Sequence, residues 1–480
     1  MPGDGPDNVL TRGVVFVLDP TPAQERLLLS YAGAARRAHN WALDQVKANL
    51  STRSAKRQAG IAENQLTAPL SWSPFSLHKL WNATKESEAP WWREVSMHAF
   101  RSGIADAAAG LSNFSDSKKG ARAGRPMGFP RFKSRNRSTP SIGFVEINHQ
   151  LSWLSPSRHG IRLMLPQSSP DPDIRRRRDQ LMWLHTTSST RRLYNLVEAG
   201  RARIQKVTIS YRGGRWQAAF SVRYLTGLPA RRPIARGSAL GGGVVGVDVG
   251  LAHLATLDRP VVGLTDTAGH ITNRRVLEAQ LTRLATLNRA WSKTMPGSKN
   301  RGKLRRRRAR LLGRIARTRS LYLHRLTNAL VDRFDVVAIE DLNLAGMGNK
   351  KGHLGRSVAD ASLGELRRQL TYKSADRGTA LVVVGRFYPS SKTCSHCAEG
   401  GVEAVRATLP LSSRVFECDT CTTSLDRDVN AARNIAREGA RLLLEQSRKQ
   451  DVAGLRPETQ NADPRPRKTD RAQAPPAAAA

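Results

Sequence analysis

Residues 244–257 read VVGVDVGLAHLATL. The run is apolar and rich in β-branched side chains, the composition of a strand buried on both faces. Gly246 and Gly250 flank Asp248 at two residues' distance on either side, and glycine inside a strand marks a place where another group comes close to the backbone. An acid in such a strand needs a partner or a cation, because burying an uncompensated carboxylate is costly. Residues 261–273 fit a hairpin partner for this strand.

Working outward, DVVAIE (335–340) repeats the buried-strand composition and ends in Glu340, and ALVVVGRF (380–387) repeats it again. Helical patterns separate these strands at about 274–293, 301–333 and Ser362–Arg377, the last closed by Gly378. A final helix is predicted from Arg427 to Glu445, with Asp428 of LDRDVNAARNI at its start. This part of the chain is therefore read as α/β. Taken singly, Asp248 could end a strand, Glu340 could initiate a helix, and Asp428 could serve the first turn of one. Together they make a different pattern. Three carboxylates at strand and helix ends can hold two Mg²⁺ ions roughly 3.5–4 Å apart, the arrangement that hydrolyses phosphodiesters. Asp341 and Asp426 are weaker candidates: the first would point to the other strand face, the second could cap the final helix.

The four cysteines are Cys394, Cys397, Cys418 and Cys421, two CxxC pairs separated by twenty residues. Two such knuckles complete a closed tetrahedral thiolate site for structural Zn²⁺. His396, inside the first knuckle, is read as a solvated loop residue.

The chain has 480 residues with 78 Lys and Arg against 39 Asp and Glu, a formal charge of +39. So large an excess calls for a polyanionic partner, while 39% hydrophobic residues exclude a merely disordered basic tail. No apolar run approaches the ~18 residues of a membrane span, and the N-terminus lacks signal-peptide order. A cytoplasmic, nucleoid-associated protein is expected; its oligomeric state is not legible.

Upstream, VVFVLD (14–19) reads as a strand, and Thr21, Pro22 and Gln24 form a capping box that opens a helix to about Ala48. A second helix fits Met97–Phe114 and a short one Leu77–Trp81. Residues 203–224 alternate around Gly213-Gly214 as a hairpin. Between them, 117–139 is a basic loop whose Lys118, Lys119, Arg122, Arg125, Arg131, Lys133, Arg135 and Arg137 meet no acid. A second basic surface lies on 301–320, where ten of twenty residues are Arg or Lys, Arg305, Arg306, Arg307 and Arg308 among them. Both are candidates for phosphate contact. The expected organisation is an N-terminal nucleic-acid-binding region of helices plus small antiparallel sheet (1–230), a Pro/Gly/Arg-rich linker (231–243), an α/β domain (244–446) with a ribbon inserted at 390–425, and a disordered tail (447–480).

The ordered set GVDVG, VVAIEDLNLAGM, YPSSKTCSHC with CDTC, and DRDVNAARNI resembles the TnpB/OrfB family of transposon-encoded RNA-guided DNA nucleases. GFPRFKSR (128–135) ahead of the strand pair 203–224 is a looser match. The resemblance implies an RNase H-like (RuvC) nuclease domain carrying a zinc ribbon, with Asp248, Glu340 and Asp428 as its Mg²⁺-binding catalytic triad. It also implies a guide RNA, a target DNA and an N-terminal module gripping DNA beside the target. Thr422 and Ala398 stand where the family often has Gly, which affects turn geometry and not ligation. A miniature type V CRISPR effector would share the nuclease; an RNA-guided repressor without cleavage would be expected to lack a carboxylate; a strand-joining transposase could use a similar metal site.

Overall fold

The computed structural model describes residues 10–135, 138–145, 153–154, 159–163, 165, 182–225, 243–347, 355–406, 409–410 and 413–454. Arg137, the expected linker apart from Gly243, and the tail beyond 454 lie outside the described residues. The chain forms two compact units, one gathering 1–232 with 275–322, the other 233–274 with 323–480.

The first unit contains β1 (Leu10–Leu18), β2 (Ser141–Val145), β3 (Gly160–Arg162), β4 (Trp183–His185), β5 (Ala202–Arg212) and β6 (Arg215–Tyr224). Its main sheet is antiparallel in the order β1-β6-β5-β2, and β3 pairs with β4. The capping box forms as expected: Gln24 N donates to Thr21 Oγ1 at 3.3 Å and Thr21 N to Gln24 Oε1 at 3.0 Å. That helix spans Pro22–Gln58 and outruns the expected end at Ala48. Its last turns carry few apolar residues and are held by Arg53 and Arg57, both paired with Glu63, so periodicity did not reveal them. Helices Pro74–Glu88 and Met97–Lys118 pack against it through Trp81, whose ring lies 5.0 Å from Trp41 and 5.1 Å from Phe100.

Residues 275–322, within the expected α/β domain (244–446), group with the first unit. Within that unit two backbones approach closely. The β5–β6 turn, with Gly213 and Gly214 at φ +55° and +76°, rests on helix Lys299–Arg333: a Cβ on Gly313 would stand 2.3 Å from the Gly213 carbonyl oxygen. Arg317 Nη1 donates to that oxygen at 3.3 Å. From Leu323 onward the same helix belongs to the second unit.

The second unit is built on β7 (Val244–Asp248), β8 (His253–Leu257), β9 (His270–Thr272), β10 (Val336–Glu340) and β11 (Ala380–Val384), ordered β11-β10-β7-β8-β9. β7, β10 and β11 run parallel; β8 and β9 are antiparallel to their neighbours. The stretch 244–257 expected as one strand is thus two, turned at 249–252, because both arms are buried and read as a single apolar run. Helix Arg427–Gly454 crosses this sheet and extends past the expected Glu445, its outer face carrying Arg441 in ion pairs with Glu438 and Glu445. The ribbon adds β12 (Val415–Glu417) and β13 (Ser424–Asp426), paired antiparallel.

Candidate active site and metal centre

Asp248 and Glu340 are the last residues of adjacent parallel strands, whose register pairs Ile339 with Val247 just before them. Both acids thus arrive at the carboxyl edge of the sheet, where α/β folds leave room for ligands. Asp428 reaches the same place from the first turn of the final helix. The close packing of helix on sheet explains Gly246: a Cβ there would lie 1.9 Å from the Ala432 carbonyl oxygen and 2.6 Å from Ala436 N. Glycine two residues before Asp248 therefore sets the depth at which the helix carrying Asp428 settles.

Burial pushes the Asp248 carboxyl up to about 7, and the charges of Asp428, Glu340 and Asp426 push the same way against Arg427. Glu340 is also raised, first by burial and then by Asp341. Burial is the larger cause in both cases, and for Asp248 the acidic neighbours add to it, so positive charge is favoured beside that carboxyl. Asp428 has Arg414 Nη1 at 3.8 Å.

The two neighbouring acids have other work. Asp426 Oδ1 accepts from the backbone nitrogens of Asp428 (2.9 Å) and Val429 (3.0 Å) and so caps the final helix. Asp341 is paired with Arg367 and, at 2.9 Å, with Arg386, which hold its carboxyl below the usual range.

Cys394, Cys397 and Cys418 are buried and Cys421 half-buried, with all four sulfurs within 4.8 Å of one another. Sulfur separations of 3.7 Å (Cys394–Cys421) and 3.6 Å (Cys397–Cys418) match the ~3.8 Å between thiolates sharing a tetrahedral zinc at about 2.3 Å. The residues therefore fit Zn²⁺. His396 is exposed. Thr422 adopts φ +57°, so the missing glycine leaves a β-branched residue in the left-handed region, whereas Ala398 meets no such strain.

Two residues that sequence reading passed over join the ribbon to the carboxylates. Asn430 and Asn434, one helical turn apart and fully buried, both donate to the Thr393 carbonyl, at 2.8 and 2.7 Å. Asn430 Oδ1 also accepts from Ser395 N at 2.9 Å, and Asn434 donates to the Ser390 carbonyl at 2.8 Å. Their i, i+4 spacing in DVNAARNI was the available signal: two amides on one helix face. His270 was also missed. Its Nδ1 is 3.1 Å from Thr256 Oγ1 and its Nε2 3.8 Å from Asp426, bracing the capping residue.

The basic candidates divide. Lys118 ends a helix rather than lying in the loop; Lys119, Arg122, Arg125, Arg131 and Arg135 are exposed. Lys133 is half-buried and paired with Asp106. Arg305, Arg306 and Arg307 face solvent, whereas Arg308 lies half-buried with its guanidinium 5.6 Å from the Trp291 ring.

Three families match in chain order: a helix-turn-helix domain of OrfB proteins over 10–54, one described as "Probable transposase" over 235–351, and a "Cas12f1-like, TNB domain" over 364–435. MT2953 of Mycobacterium tuberculosis (strain CDC 1551 / Oshkosh) is 31% identical over 454 residues, covering 90% of this chain and 87% of its own. InsQ of Escherichia coli (strain K12) is 27% identical, covering 89% and 92%. Both carry RNA-guided DNA endonuclease in their names. A Cas12f1–sgRNA–target DNA complex is a solved structure similar at 14% identity, TM-score 0.44, covering 89% of this chain and 99% of that one. With one relative above 30% identity along nearly its whole length, and with the ordered motifs on a single sheet edge and ribbon, this chain belongs to the TnpB/OrfB family.

Proposed function

We propose that the protein is an RNA-guided DNA endonuclease of a transposable element, acting on DNA in the nucleoid and cutting it at Asp248, Glu340 and Asp428. The observation that carries this reading is the gathering of three acids at one sheet edge, around an Asp248 carboxyl lifted to about 7. The strands in chain order, three forming an antiparallel run (β7–β9) and then two parallel to the first (β10, β11), support an RNase H-like nuclease unit. Two Mg²⁺ ions held by these carboxylates would supply an activated water and charge stabilisation for the leaving 3′ oxygen.

What the chain itself does is hold that site rigid. Gly246 admits the final helix, Asp426 caps it, and Asn430 and Asn434 tie it to the knuckle that Zn²⁺ would close. Exposed arginines on 305–307 and the loop 119–135 supply phosphate contacts that position the polymer without reading bases; sequence choice then comes from base pairing with guide RNA. A repressor reading loses support because all three carboxylates are present.

The test is direct. Asp248→Ala, Glu340→Ala and Asp428→Ala should each abolish Mg²⁺-dependent cutting while nucleic-acid binding persists, and Asp426→Ala should keep much more activity than Asp428→Ala. Retained cutting in the Asp248 or Glu340 variant, or the reverse ranking of the two aspartates, would overturn the assignment.

A further inference from the structure

Phe387 is 94% exposed, more than any other Phe or Trp among the described residues. A ring left in water is unfavourable, yet the loop that presents it is pinned on both sides. Arg386 donates to Asp341 through Nη2 (Oδ2, 2.9 Å) and Nε (backbone oxygen, 3.2 Å). On the other side the Tyr388 hydroxyl donates to the Asn434 carbonyl at 3.4 Å and accepts from Arg437 at 3.3 Å. A turn bond from Tyr388 N to the Gly385 oxygen, 3.0 Å, closes the segment. The ring is therefore held out by its neighbours rather than left over from loose chain.

Its position is also specific. Val384, the last residue of β11, is in register with Glu340, and the three residues that follow span at most about 10 Å. Phe387 thus stands at the same strand edge as the carboxylates.

We propose that Phe387 stacks on a nucleobase of the DNA strand delivered to this edge, beside the phosphate to be cut; the inference rests on the nuclease reading above. A single exposed ring suits a base, since every base offers a π-face and stacking tolerates any sequence. An apolar protein or lipid partner would call for a contiguous apolar patch.

The experiment uses the full chain purified with its copurifying RNA, in an Asp248→Ala background, and DNA matched to that RNA. 2-Aminopurine is placed in turn at each position flanking the cut. Its fluorescence should be quenched at one position by Phe387, and more strongly at that same position by Phe387→Trp and Phe387→Tyr, but not by Phe387→Ala or Phe387→Leu. With Asp248 restored, Phe387→Ala should lower kcat/KM about 5- to 100-fold, with rescue by Trp. The fluorescence readout requires no cutting, so it stands even if the carboxylate assignment fails. Equal fluorescence with Phe387 and Ala at every flanking position, or a Leu variant as effective as Trp, would overturn the proposal.

Discussion

Asn430 Nδ2 and the Thr393 carbonyl are joined by a 2.8 Å hydrogen bond between the helix that carries Asp428 and the first cysteine knuckle. Both partners are buried, so either group left unpaired costs about 1–3 kcal/mol. The ribbon and the carboxylate edge are thereby one mechanical piece.

Zinc should accordingly matter beyond its own ribbon. Purified protein should hold about one Zn²⁺ per chain, and Cys418→Ser should lower both metal content and cutting. Asn430→Ala should keep the zinc and still lose activity. Elemental analysis beside cleavage rates checks both, and zinc-free wild-type protein with intact cutting would refute the coupling.

Asp248 predicts a pH dependence. Its folded carboxyl titrates near 7 against an ordinary value of 3.8, so between these values the folded chain holds a proton that the unfolded chain has released. Without divalent metal, stability should therefore fall as pH rises from about 4 to 7 and level off above. Asp248→Asn should flatten that slope. Because Mg²⁺ competes with the same proton, its apparent affinity should rise with pH through the same interval. Melting curves and metal titrations across pH read both effects.

Gly246→Ala should destabilise the second unit by about 1–3 kcal/mol, the usual cost of overpacking, since its Cβ would press on the Ala432 carbonyl oxygen. Cutting should fall more than stability alone accounts for, because the helix bearing Asp428 must move. Denaturant unfolding beside kcat measurement separates the two losses.

Neutralising Arg305 to Arg308 together should weaken binding to all sequences. It should also flatten the slope of log affinity against log salt by up to about 0.9 for each phosphate that the variant no longer neutralises. Arg308 should contribute least, its guanidinium being close to the Trp291 ring. Salt titrations of the single variants give the ranking.

How much of this was legible in the sequence depended on what each residue type signals locally. Strand-end acids in apolar runs, CxxC spacing, the capping box at Thr21 and the Gly213-Gly214 hairpin are short-range patterns, and each reappears in the fold. Asn430, Asn434 and His270 act through partners far along the chain, so apart from the i, i+4 spacing of the two amides nothing beside them announces the role. The turn within 244–257 was hidden for a different reason: burial on both faces erases the alternation that would separate two strands. The close approach of Gly213 and Gly313 inside the first unit is likewise a long-range contact that no periodicity encodes.

The central claim is that RNA directs a cut made at Asp248, Glu340 and Asp428. The most direct measurement is to sequence the RNA that copurifies with the protein, exchange its guide segment, and map Mg²⁺-dependent cuts on DNA that keeps the adjoining recognised motif. The account predicts that cutting moves to the newly complementary sequence and disappears in Asp248→Ala. Cuts that ignore the guide, or sequence-specific cutting after complete removal of RNA, would contradict it.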